Sequence, residues 1–277
     1  MQSPSPLRYP GGKTKLFPYM QKIIEINNLQ NTTYIEPFAG GCGLAISLLK
    51  NNIVHDIIIN DYDYAIYAFW YSILHDTDEF CERIQNININ VEQWDAQREV
   101  YLNQDQNTLF DVGFSTFFLN RTNRSGIING GIIGGRNQNG EYTIDCRFNK
   151  RNLISKIKEI AGYSGRIRLY NKDVFDLIGD VIVKMPINNT FIYFDPPYVK
   201  KGKQLYQNFF DLHDHTNLRD CITNIQQKWL TTYDHTDEIA ILYQNYQQDV
   251  IDINYSAGTK KIGRELAIFS NDLNMPI

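Results

Sequence analysis

The 277-residue chain lacks several features that would otherwise narrow its role. It has four cysteines, Cys42, Cys81, Cys146 and Cys221, and no two of them form a C-x-x-C pair. Zinc-ligand spacing is therefore absent, and a reducing, cytoplasmic compartment is expected. The longest apolar stretches, such as Ile57-Ile58-Ile59, are strand-sized and fall far short of a membrane span, so no membrane partner is expected. The first six residues contain no apolar segment of the secretory kind. His213-Asp214-His215 has no further ligand cluster with it and leads into a helix start, so no metal is expected.

Positive charge is also in short supply, with a net charge of −4. Its distribution is uneven. Residues 120–168 hold ten basic side chains against Glu141, Asp145 and Glu159, a block of +7 in a remainder of −11. Such asymmetry is the electrostatic footprint of a nucleic-acid partner, although a solvated basic face would look the same. The chain is rich in hydrophobic residues (43%) and aromatic residues (13%), enough to build a core and to argue against disorder.

The pattern along the chain is α/β. A helix is expected from about Thr14 to Asn27, then a strand Thr33–Glu36 stopped by Pro37. The glycine turn Gly40-Gly41-Cys42-Gly43 opens a helix to about Asn51, and Asp56–Asn60 reads as a second strand. This β-turn-α-β unit opens a Rossmann-like sheet. Residues 65–118 read as mainly helical, Gly126 to Gly140 as a glycine-rich turn, hairpin or mobile loop, and Lys150–Ala161 as a helix. Strands return at Arg166–Tyr170, Phe191–Phe194 and Leu230–Tyr233. Helices are expected from Thr216, as cap, to Lys228 and from Asp237 to Tyr246, and a terminal hairpin at Val250–Tyr255 and Leu266–Phe269. The expected organisation is a sheet domain, residues 1–64 and 166–277, interrupted by an insertion over 65–165 that carries most of the basic block.

Three constellations carry chemistry. The turn Glu36-Pro37-Phe38-Ala39-Gly40-Gly41-Cys42-Gly43 is a partial G-x-G-x-x-G, with Ile46 where the third glycine belongs; alone it is a weak signal. Asp61, about eighteen residues beyond Gly43, is placed to accept hydrogen bonds from a ribose, or simply to cap a helix. An earlier segment, Arg8-Tyr9-Pro10-Gly11-Gly12-Lys13-Thr14, ends like a phosphate loop. Leu7 stands where that loop needs glycine and no strand precedes it, so a lysine facing a carboxylate is the better expectation. Most specific is Asp195-Pro196-Pro197-Tyr198 directly after an apolar strand. Proline fixes φ, so the carboxylate and the Pro196 carbonyl hold a preset orientation. Both can accept hydrogen bonds from one exocyclic amino group, on whose base Tyr198 can stack.

Taken together, these motifs resemble the Dam-type DNA adenine-N6 methyltransferases, in the order that inserts target recognition before the catalytic motif. The resemblance covers nearly the whole chain and adds two segments, Asn171-Lys172-Asp173-Val174-Phe175 and the recognition signature Asn120-Arg121-Thr122-Asn123-Arg124-Ser125-Gly126. It implies an S-adenosylmethionine-dependent fold with a mainly helical target-recognition insertion. By resemblance the cofactor would lie against Tyr9, Gly11, Lys13, Glu36, Pro37, Phe38, Gly40, Gly41, Gly43, Asp61, Asp173 and Asp195. Tyr9 departs from relatives with tryptophan there. Asp195 to Tyr198 would be catalytic, and Arg121, Asn123, Arg124, Arg136, Arg147, Lys150, Lys200 and Lys201 are the candidates for duplex DNA. Adenine would have to flip out of the helix, and a restriction endonuclease acting on the same site is a possible partner. No cysteine follows a proline, which excludes the cytosine-C5 reaction. Cytosine-N4 transfer shares the same amino chemistry and stays open. So does a non-catalytic S-adenosylmethionine-binding DNA-binding protein, against which the intact tetrapeptide argues.

Overall fold

The computed structural model describes residues 3–9, 11–198, 210–255 and 261–276. The chain forms β1 (Thr33–Glu36), β2 (Asp56–Asn60), β3 (Ile167–Tyr170), β4 (Thr190–Phe194), β5 (Lys228–Asp234), β6 (Gln247–Tyr255) and β7 (Lys261–Phe269). These strands make one seven-stranded sheet in the order β3-β2-β1-β4-β5-β7-β6. The first five run parallel, and β7 enters antiparallel beside β5 with β6 antiparallel on its far side. An all-parallel dinucleotide sheet has no such reversed edge hairpin.

The parallel strands are near-continuous apolar runs because both faces are covered. Alternation at period two sends Tyr34, Ile57, Ile59, Phe191 and Tyr193 into one core, and Ile35, Ile58, Ile192 and Phe194 into the other. The helices are α1 (Phe17–Ile26), α2 (Gly43–Lys50), α3 (Tyr64–His75), α4 (Thr77–Asn86), α5 (Val91–Leu102), α6 (Leu109–Thr122), α7 (Lys150–Ala161), α8 (Val174–Asp180), α9 (Leu212–Asn224) and α10 (Asp237–Leu242). Buried residues of α8, α9 and α10 fill the second core. The first is filled by α1 and α2 together with the helices of the 65–165 stretch. That stretch has no core of its own. Phe69 stacks on Phe117 at 5.9 Å, Phe80 and Phe148 join them, and the cluster continues into the sheet.

Two expected helix bounds are corrected. Thr216 does not cap α9; its hydroxyl donates back to the Leu212 carbonyl at 2.8 Å. The cap is Asp211, whose carboxylate accepts from the Asp214 N–H while Asp214 accepts from the Asp211 N–H, a capping box with aspartate as the reciprocal acid. The helix then ends at Asn224, and Lys228 begins β5. The helix expected to reach Tyr246 stops at Leu242, because the Gln248 amide donates to the Ala240 and Tyr243 carbonyls and closes its end. No described helix is long and apolar enough to cross a membrane.

Candidate active site

Strand order reverses between β1 and β4, and ligands of open α/β sheets bind in the crevice beyond the carboxyl ends of strands at such a point. The glycine turn follows β1 and Asp195 follows β4, so both reach that crevice from adjacent strands. Between them lies a cavity of about 330 Å³. Every residue that the sequence reading assigned to a cofactor lines it, from Tyr9 and Lys13 through Glu36 and Asp61 to Asp173 and Asp195. Pro197 lines it as well.

Local chemistry shapes the turn. Gly40 sits at φ +46, and a β-carbon there would lie 2.6 Å from the Tyr9 ring, so glycine answers both the backbone and the aromatic packed on it. The Gly40 carbonyl accepts from Trp70 Nε1 at 2.9 Å, which ties the turn to α3. Its N–H donates to Asp61 Oδ2 at 2.7 Å, while Asp61 Oδ1 accepts from the Asp63 N–H at 3.0 Å. Asp61 therefore braces the turn. The cap of α3 is Asp63 instead. Asn60 completes the frame by donating to the carbonyls of Pro37 and Lys172, both at 3.0 Å. Asp173 caps α8 through the Phe175 N–H at 2.8 Å.

The cavity wall is acidic, and burial dominates its titration. It pushes the Glu36 carboxyl up to about 8, against the hydroxyl of Tyr34, which donates to it at 3.1 Å. Burial, with Asp63 beside it, pushes Asp61 up to about 7. Asp195 rises to about 6, raised by burial, held down by Lys13 and raised again by Glu265. Burial alone would depress the Lys13 ammonium, but Asp195 and Glu265 outweigh it and hold the group above its ordinary value. Lys13 thus faces a carboxylate, as the sequence suggested, and in fact faces two: Asp195 Oδ1 at 3.0 Å and Glu265 Oε1 at 2.6 Å.

The structure redistributes other expectations. Tyr198 is only 8% exposed; its hydroxyl accepts from Lys13 at 2.8 Å and donates to Glu265 at 2.6 Å. Among the DNA candidates, Asn123 is corrected. It is fully buried, its Oδ1 accepts from Trp94 Nε1 at 2.6 Å, and its amide donates to the carbonyls of Ile127 and Ile128. Lys150 is corrected too: its ammonium donates to the Gln85 and Ile87 carbonyls at 2.8 and 2.6 Å, at the end of α4. Arg121 donates through Nε to the Arg147 carbonyl at 2.7 Å; burial, with Arg8 and Arg147 nearby, lowers it to about 10. Arg136 forms a forked pair with Asp95 at 2.8 and 2.7 Å. Arg124 and Arg147 are exposed. Lys200 and Lys201 lie outside the described residues.

Sequence reading missed Glu265, Trp70 and the share that residues 65–165 have in the cavity, including Tyr101, Ile127, Ile128 and Asn129. Asn120, named there only as part of the recognition signature, is fully buried and grips the Arg8 backbone: Oδ1 accepts from the Arg8 N–H at 2.7 Å and Nδ2 donates to the Arg8 carbonyl at 3.0 Å. The glycine of the recognition signature, Gly126, has φ +77, and a β-carbon there would strike the same Arg8 carbonyl. The segment ahead of Tyr9 is therefore clamped to the turn at the end of α6.

Comparison with known proteins places the chain in a family. The chain is 24% identical over 211 residues to the type II methyltransferase M.MjaIII of Methanocaldococcus jannaschii, covering 71% of this chain and 70% of that protein. It is 23% identical over 240 residues to the type II methyltransferase M1.LlaDCHI of Lactococcus lactis subsp. cremoris, covering 80% and 76%. Among solved structures, the precorrin-6y C5,15-methyltransferase of Geobacter metallireducens superposes over 90% of this chain and 86% of that one at 8% identity and a TM-score of 0.36, an overlap too slight to bear on fold or activity. Residues 9–256, from the aromatic over the glycine turn to the edge hairpin, match the family profile as a whole, and the chain belongs to the D12 class of N6 adenine-specific DNA methyltransferases.

Proposed function

We propose that this cavity binds the family's methyl donor, S-adenosylmethionine, and that Asp195-Pro196-Pro197-Tyr198 presents to it the amino group of an adenine flipped from duplex DNA. The observation that carries this reading is the meeting of Asp195 and the glycine turn at one switch point, inside one acidic cavity. The residues suit the donor. Among the described residues no cation is recorded against Glu36, so a buried carboxyl faces a cavity intended for a cationic, amino-acid-bearing nucleoside. Phe38 offers an aromatic face to its adenine, and Asp61 retains acceptor capacity for ribose hydroxyls. Tyr9, Gly11, Lys13, Pro37, Gly40, Gly41, Gly43 and Asp173 complete the wall.

When bound, the donor supplies a sulfonium methyl. The protein's task is positioning and electrostatics. The adenine amino nitrogen is a poor nucleophile because its lone pair is delocalised into the ring. Asp195 and the Pro196 carbonyl accept its two N–H groups and favour a tetrahedral nitrogen whose lone pair points along the transfer line. The recorded contacts of Asp195, Lys13 at 3.0 Å and Thr232 Oγ1 at 3.5 Å, both fall on Oδ1. That leaves Oδ2 for the substrate.

Residues 65–165 serve as the target-recognition unit, with Arg124 and Arg147 as its exposed basic contacts. Arg121 supports Arg147 through its carbonyl. Both relatives carry the name type II methyltransferase, and by that likeness a restriction endonuclease of the same target is the partner proposed. One experiment tests the central reading. The protein is incubated with duplex DNA and methyl-labelled S-adenosylmethionine, and the DNA is digested to nucleosides. Label in N6-methyladenosine is the expected outcome; label elsewhere, or none, overturns it. Sequencing of the methylated DNA reads the target.

A further inference from the structure

Glu265 belongs to none of the motifs described above. It reaches the site through pairing at long range: β7 runs antiparallel to β5 with Glu265 opposite Asp234, at the carboxyl end of β5 beside the mouth of the cavity. Its side chain is 2% exposed. Both oxygens accept from the Lys13 ammonium, at 2.6 and 2.8 Å, and Oε1 also accepts from the Tyr198 hydroxyl at 2.6 Å. The same ammonium lies 3.0 Å from Asp195 Oδ1 and 5.0 Å from the centre of the Tyr198 ring. One cation is thus shared by two carboxylates, and two of the four residues of the tetrapeptide hang from that node.

We propose that Glu265 is a positioning residue for methyl transfer, holding Lys13 and Tyr198 so that Asp195 is oriented and left only partly neutralised as it meets the adenine amine. This rests on the reading of Asp195 given above. The geometry explains why the node needs a second acid. Lys13 alone against Asp195 would form a one-to-one buried pair, and the ammonium would draw off the charge with which Asp195 holds the amine. With Glu265 taking the closer contacts, 2.6 and 2.8 Å against 3.0 Å, the ammonium is drawn away from Asp195. The Tyr198 hydroxyl, caught between Lys13 and Glu265, fixes the far end of the tetrapeptide in the same stroke.

Glu265 also acts on the titration of Asp195. The groups that face Asp195 are Lys13 from the N-terminal segment, Glu265 from β7, Glu36 from the end of β1, Tyr193 on its own strand, and Thr232 and Tyr233 from β5. Glu265 raises Asp195 and Lys13 lowers it. Neutralising Glu265 hands the ammonium to Asp195, so its protonation moves to lower pH even as it becomes a weaker acceptor toward the amine. A residue that only supported the fold would not move that limb.

The test uses the full chain. Single-turnover methylation of duplex DNA is measured from pH 5 to 9 for wild type, Glu265→Gln and Glu265→Asp, with dissociation constants for S-adenosylmethionine and DNA and a melting curve for each. For Glu265→Gln the expected result is a rate lower by about 10²-fold, dissociation constants within about threefold, and an acid limb displaced to lower pH. Glu265→Asp keeps the charge; it recovers part of the rate and keeps the wild-type limb. A Glu265→Gln enzyme with wild-type rate and limb overturns the proposal, as does a rate loss that follows only the loss of folded protein. If Glu265→Gln does not fold, Glu265→Asp decides: a reduced rate at unchanged dissociation constants supports the proposal, and an unchanged rate overturns it. Asp195→Ala runs in parallel. Turnover by that variant would sink the reading of Asp195, whereas a dead Asp195→Ala beside a fully active Glu265→Gln sinks only the role of Glu265.

Discussion

At the mouth of the sheet, Lys13 meets Asp195 and Glu265 within 3.0 Å, and the charges stay on side chains around a cavity. In residues 65–165, Lys150, Arg121 and Asn123 turn to main-chain carbonyls instead, closing helix ends and turns. The mouth buries ionic groups and keeps them poised for a ligand. Residues 65–165 use part of their positive charge as scaffolding, in Arg121, Lys150 and Lys156, and leave Arg98, Arg124, Arg136, Arg147, Arg151 and Lys158 exposed. A basic block is therefore not a residue-by-residue map of a binding surface, since an arginine that holds a carbonyl still counts as +1 in a sum.

The comparison can be broken first at the mouth. Asp195→Ala is expected to lower the methylation rate by on the order of 10³-fold while DNA affinity changes little, measured by single turnover and by titration of labelled duplex. In the insertion, Asn123→Ala is expected to cost about 1–3 kcal/mol of stability in denaturant unfolding, because Trp94 and two carbonyls lose their partner; a loss of DNA affinity at unchanged stability would contradict that. Arg124→Ala should reduce the slope of log affinity against log salt by about 1. Lys150→Ala should leave that slope alone and lower the melting temperature. Arg136→Ala should cost less than about 1 kcal/mol, since its pair with Asp95 is exposed.

Glu36 sharpens the comparison through pH. Its carboxyl is raised by burial from 4.5 to about 8 in the fold, so the folded state holds its proton more tightly than the unfolded chain. Its stabilising contribution is complete below about pH 4.5 and is lost as pH rises through about 8. Asp61 and Asp195 act in the same direction through about 7 and 6. The melting temperature of the ligand-free protein is thus expected to fall between pH 5 and 9, and Glu36→Gln to flatten that fall. An unaltered slope would clear Glu36 of the effect.

Much of the site was legible in the sequence because it is built from local segments at strand ends. The expected bounds of β1, β2 and α7 coincide with the observed ones, and the cofactor candidates line one cavity, since a strand that ends in a glycine or proline turn must deliver that turn to the mouth. Asp211 was legible in principle, because D-x-x-D has the capping-box spacing that Thr216 lacks. Glu265 was not, nor was the grip of Asn120 on Arg8, although Asn120 itself stood in the recognition signature. Each works through a partner over a hundred residues away, and nothing near either one states which strand or loop it will meet. Lys150 shows the opposite failure: its charge was legible, but its acceptors, the carbonyls ending α4, exist only once the helices pack.

The reversed edge hairpin makes the node of Lys13, Asp195 and Glu265 depend on both ends of the described chain. Lys13 and Glu265 are separated by 252 residues, and Glu265 arrives on a strand that must slot between β5 and β6. A contact of such sequence separation exists only when both ends of the described chain are held on the sheet. Without the hairpin β5 is an open edge and Lys13 keeps Asp195 but not Glu265. Detaching the hairpin would therefore strip Lys13 of Glu265 while leaving the parallel strands paired.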